Sequence, residues 1–141
     1  MSEKSTSDLC SELIGSASID SYLSRNRSAF LDSSIADLLT SLYQDKSVSK
    51  AALARKAGMS EVYLHQVFSG RRNPSRDRLL CLCFGLDASL AETQQLLKQA
   101  GYAQLYPRSR RDAIILHGLT HGIDLSSVND KLFAEGEKTL F

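Results

Sequence analysis

The chain has 141 residues, 43% of them hydrophobic, enough for one core or for a compact domain with an extension. Its formal net charge of +1 excludes neither acidic nor basic partners, because the charge is uneven: −4 over residues 1–45, +6 over 46–80, +2 over 81–111 and −3 over 112–141. No apolar run is long enough to cross a bilayer, and the start MSEKSTSDLCSELIGS has no apolar region of the secretory kind. No glycine-rich phosphate loop, nucleophile elbow or paired catalytic carboxylates occur, so the expectation is a cytoplasmic, non-enzymatic protein that needs no cofactor.

Residues 1–28 are serine-rich and are expected to form a flexible arm, with one short helix around Leu9, Leu13 and Ile14. The first firm helix is expected from Ser28 to Tyr43, because Ile35, Leu38, Leu39 and Leu42 recur at spacings of three and four. Ser49 can cap a second helix, Lys50 to Ala57, with Gly58 as a left-handed stop. Ser60 can cap a third, ending at Gly70, and Arg71-Arg72-Asn73-Pro74 then makes a basic turn. A fourth helix carries Leu79, Leu80, Cys83 and Phe84. Ser89 with Glu92 reads as a capping box opening a fifth helix, which ends at Gly101. After a linker, Ser109 and Asp112 open a helix to about Thr120, and Asp124 caps another that ends at Gly136. The pattern predicts an all-α chain: residues 29–101 as a five-helix domain and 102–141 as a two-helix extension.

Residues 49–74, SKAALARKAGMSEVYLHQVFSGRRNP, meet the needs of a helix-turn-helix. Ala54 permits a close helix crossing, and Gly58 permits positive φ in the turn. Leu53, Ala57, Met59, Leu64 and Val67 can pin both helices to a core. Glu61, Val62, His65 and Gln66 lie on the other side of the second helix. The positive charge of the chain is concentrated in this segment.

With Leu53-Ala54, Gly58, Ser60, Leu64, Val67, Gly70, Pro74, Leu79-Leu80 and Leu86 in register, residues 30–86 resemble the Cro/C1-type (Xre, lambda-repressor-like) helix-turn-helix regulators. The resemblance implies a sequence-specific transcriptional regulator, in its expected form a repressor, that reads the major groove of double-stranded DNA with helix 60–68. By position, Glu61, Val62 and Gln66 would face base edges: Gln66 suits adenine, Glu61 the cytosine amino group, and Val62 a thymine methyl. Lys50, Ser60, Tyr63, His65, Arg71, Arg72 and Asn73 would meet the DNA backbone. The resemblance also implies a homodimer on two half-sites. Phe68 departs from the pattern; as an exposed aromatic it would need a partner, the arm or another chain.

Residues 96–141 are similar to the tail of a group of small bacterial Xre-type regulators. Ile114, Ile115, Leu116 and Leu119, with Val128, Leu132 and Phe133, would either enlarge the core or dock a second copy or a protein partner. The alternative function is an adaptor that keeps this fold but binds a signalling protein instead of DNA. Cys81 and Cys83 are expected to be buried thiols, and His117 and His121 ordinary surface or capping residues, with no metal site. Arg108, Arg110 and Arg111 are expected on a solvated surface, with DNA or an acidic partner as the alternative.

Overall fold

The computed structural model describes residues 4–27 and 34–141. Among them every regular element is a helix: α1 Thr6–Gly15, α2 Ile19–Arg25, α3 Ile35–Gln44, α4 Lys50–Lys56, α5 Glu61–Phe68, α6 Arg76–Gly85, α7 Leu90–Gln99, α8 Arg110–Thr120 and α9 Leu125–Ala134. No helix among the described residues is long and apolar enough to cross a membrane. The chain divides into two units, Met1–Asp32 and Ser33–Phe141.

In the first unit, two helices stand where the serine-rich composition suggests one helix within an arm. Ser5 and Asp8 form a reciprocal capping box at the start of α1, and the Ser18 hydroxyl accepts from the Ser21 amide at the start of α2. The serines that look like composition bias are in part helix caps. Polar contacts then tie the two helices. Lys4 Nζ donates to Glu12 Oε2 at 2.7 Å and to Asn26 Oδ1 at 2.9 Å, while Asn26 Nδ2 donates to Glu12 Oε1 at 3.1 Å. The hydrogen bonds from Lys4 and Asn26 hold the Glu12 carboxyl below the usual range. The helix expected from Ser28 to Tyr43 begins instead at Ile35, because Ser34 is extended (φ −60°, ψ 131°) and stands as its N-cap; residues 28–33 and the expected boundary at 28 lie outside the described residues.

In the second unit each helix from α4 onward begins at a capping side chain. Ser49, Ser60, Ser75, Ser89, Ser109 and Asp124 accept from the amides of Ala52, Tyr63, Arg78, Glu92, Asp112 and Ser127. The Ser89–Glu92 capping box is reciprocal, as expected. Helix α6 lies at the centre, with every residue from Leu79 to Gly85 buried, and α4, α7 and α9 pack on it. Cys81 and Cys83 sit inside it; burial pushes their thiols up to about 11 and about 12, so both stay neutral. The extension folds back onto the same core: Leu105, Ile115, Leu125, Val128, Leu132 and Leu140 join Leu53, Leu64 and Leu80 in one cluster.

Two Arg-Asp dipeptides lock the extension by pairing crosswise. Arg76 Nη2 meets Asp112 Oδ2 at 2.9 Å, and Arg111 Nη1 meets Asp77 Oδ1 at 3.0 Å. Arg110 reaches Glu135 at 2.9 Å. Arg111 is thereby held within the fold, whereas Arg110 and Arg108 remain on the exposed surface. His121 is the C-cap of α8, and its ring stacks on that of His117 at 3.9 Å between centroids.

Helices α8 and α9 meet where Gly118 leaves room. A Cβ there would lie 2.4 Å from Val128 Cγ2 and 3.5 Å from the Phe84 ring. Val128 is 2% exposed and stiff at χ1, so it cannot step aside cheaply. Overpacking of this kind costs about 1–3 kcal/mol, against about 1 kcal/mol gained from better helix propensity. Gly118→Ala is thus expected to be destabilised by up to about 2 kcal/mol. Thermal melts check this, and Val128→Ala in the same chain should remove most of the penalty.

Candidate nucleic-acid interface

Helix α4 ends in a paired backbone closure. The Met59 amide donates to the Ala54 carbonyl at 3.0 Å and the Gly58 amide to Arg55 at 3.2 Å, with Gly58 at φ 64°. That closure turns the chain within two residues into Ser60, whose hydroxyl accepts from the Tyr63 amide at 3.1 Å and starts α5. Helix α5 ends the same way. The Arg71 amide donates to the Gln66 carbonyl at 3.0 Å, and the Arg72 amide reaches that carbonyl at 3.2 Å, with Gly70 at φ 81°. The two arginines are thereby stationed beside Gln66.

Leu64, Val67 and Phe68 anchor α5 in the core. Phe68 corrects the expectation of an exposed ring. It is 9% exposed, because α3 packs across α5 and Tyr43 covers it edge-on, with ring centroids 5.6 Å apart. Neither the arm nor a second chain is needed to cover it. Lys50 Nζ lies 5.1 Å from the Phe68 ring and 5.8 Å from that of Tyr43, a partly buried stem with a charged head.

The opposite face of α5 carries the residues expected to read bases. Glu61 and His65 are exposed, Gln66 is half-buried, and Val62 is 69% exposed. Glu61 Oε1 lies 3.5 Å from His65 Nε2, so the two form an ion pair only when the imidazole is protonated. Ser60 keeps its own O–H available as a donor, since its oxygen is the cap acceptor. Arg71, Arg72 and Asn73 are exposed beyond the end of α5.

Beside this face stand two cations, Arg55 of α4 and Arg78 of α6, that are not among the expected contact residues. An open hollow of about 550 Å³ at the start of α5 is lined by Arg55, Ser60, Tyr63 and Arg78, among others. The guanidinium carbons of Arg72 and Arg78 lie 5.6 and 5.2 Å from the Tyr63 ring centroid, so Tyr63 acts as a platform for both. In the sequence Arg76 and Arg78 look alike. Only the fold separates Arg76, bound to Asp112, from Arg78, which faces the hollow. Among the described residues, Lys46, Lys50, Arg55, Lys56, Arg71, Arg72 and Arg78 make no ion pair, and Glu61 is the one carboxylate of residues 46–80 outside the Arg-Asp clamp. The excess positive charge of this segment is left unneutralised on α4, in the turns before α4 and after α5, and at Arg78 in the first turn of α6; α5 itself carries no lysine or arginine.

Residues 34–96 match the family model described as a helix-turn-helix domain, which spans α3 to the first two turns of α7. No curated protein and no solved structure matches the chain.

Proposed function

We propose that this all-α helix-turn-helix chain is a sequence-specific, double-stranded-DNA-binding transcriptional regulator of the Cro/C1 type, a repressor that blocks a promoter by occupying it. The reading is supported above all by the exposed face of α5 and the unpaired cations near it: Lys50 beside Phe68, Arg55 and Arg78 at the hollow by the start of the helix, Arg72 beside Tyr63, and exposed Arg71 beyond its end. A groove needs that arrangement, with cations to hold the two phosphate walls and a polar-apolar strip to face the bases between them. Residues 29–101 carry the binding, and 102–141 form the extension. One copy presents one reading helix, so a homodimer would read two half-sites about 34–36 Å apart.

The direct test is binding to a pool of random duplexes at several salt concentrations. A DNA reader held by several phosphates loses affinity steeply as salt rises. Gln66→Ala is expected to relax preference at one base position by about 1–3 kcal/mol while leaving the salt slope unchanged. Selection from the pool with both proteins measures it, and equal weakening on every sequence would remove Gln66 from the reading face.

The exposed Val62 side chain and the Glu61 carboxylate favour a second reading, a protein-binding adaptor. That reading takes over if the pool is not bound even at low salt.

A further inference from the structure

We propose that residues 137–141, the segment after α9, form a strap that fixes the α4–α5 turn, with Phe141 as the positioning residue for the reading helix. The proposal rests on the DNA-reading function above. The strap is pinned along its length. Arg111 Nε donates to the Lys138 carbonyl at 2.8 Å and Arg111 Nη2 to that of Thr139 at 3.3 Å. Lys138 Nζ lies 3.7 Å from Asp77, the same carboxylate that holds Arg111. The Leu140 amide donates to Asn129 Oδ1 at 2.7 Å, and the Leu140 side chain, 4% exposed, enters the core.

These anchors deliver the Phe141 ring onto Gly58. A Cβ at Gly58 would lie 3.1 Å from Phe141 Cε1 and 3.2 Å from both Cδ1 and Cζ, so the ring rests where a side chain would otherwise stand. The ring is 56% exposed, so core packing does not account for its place; Leu140 performs that role one residue earlier. What the ring touches is the left-handed residue that sets the direction in which α5 leaves α4. Gly58 also lines the hollow that holds Arg55, Ser60 and Arg78, so motion at this turn would move the reading face and the phosphate-facing cations relative to each other. The extension is in this way part of the reading apparatus.

The test compares the full chain with Phe141→Ala and Phe141→Tyr by amide hydrogen exchange and by DNA binding. In Phe141→Ala the amides of Gly58 and Met59 are expected to exchange faster, while those inside α6, which report global opening, keep their rates. Affinity for a selected duplex should fall roughly 2- to 30-fold, the range for a mutation that acts through a packed element. The salt slope should not change, because no phosphate contact is lost. Phe141→Tyr should restore both properties. Gly58→Ala should cost less affinity in the Phe141→Ala background than in the parent chain, because the clashing ring is gone. Unchanged exchange at Gly58 and Met59, or a rise matched throughout α6, would overturn the strap. If the parent chain binds no duplex, the DNA reading fails, and the exchange data still decide the strap.

Discussion

An Arg76→Ala chain is expected to lose about 3–5 kcal/mol of folding stability, the cost of leaving a buried carboxylate without its cation. Arg76 grips Asp112 with both terminal nitrogens, at 3.1 and 2.9 Å, and its Nε donates to the Ala103 carbonyl at 2.9 Å. Asp112 is 7% exposed and also accepts from the Tyr106 amide at 3.0 Å. Without the guanidinium, that carboxylate stays in the fold with one backbone donor and its own helix start. Urea denaturation followed by circular dichroism measures the loss. The Arg76→Ala/Asp112→Ala chain should recover a large part of it, since the charge that must be desolvated is then absent. A loss below about 1 kcal/mol would place the pair among ordinary surface ion pairs and remove its role as the clamp of the extension.

Replacing Arg55 and Arg78 together by alanine is expected to lower the salt slope of duplex binding by about 2, since each phosphate contact contributes about 0.9. At about 0.15 M salt that corresponds to an affinity loss on the order of 30-fold. Base preference should be unaffected, because neither residue lies on the exposed face of α5. Stability should change little: Arg55 is exposed, and Arg78 loses its stacking on Tyr63, worth about 0.5–1 kcal/mol. Fluorescence anisotropy across a salt series reads the slope. A slope equal to that of the parent chain would take both arginines out of the interface.

Much of this site is legible in the order of residues. Ser49, Ser60, Ser89 and Asp124 announce helix starts, because a short oxygen-bearing side chain satisfies an amide three residues on. Gly58 and Gly70 announce the ends of α4 and α5, because both closures need positive φ. The 3.6-residue period then separates Leu64 and Val67 from Glu61, Val62 and His65. Each of these signals acts over a few residues of chain, within the reach of one side chain.

What stayed hidden depends on partners distant in the chain. Phe68 reads as exposed until α3 brings Tyr43 across it. Arg55 and Arg78 read as two more basic residues until the hollow at the start of α5 gathers them around Tyr63. The helix Ile19–Arg25 is masked by serine content, and its polar ties run from Lys4 and Glu12 to Asn26.

The local code therefore settled where helices begin and end and which face of α5 is bare, since hydrogen bonds and backbone angles between near neighbours decide both. Folding alone settled which charges are spent and which are free. Arg76 and Arg111 find Asp112 and Asp77 across 36 and 34 positions of chain, and such pairings follow from how α8 lies against α6, which no short-range pattern encodes.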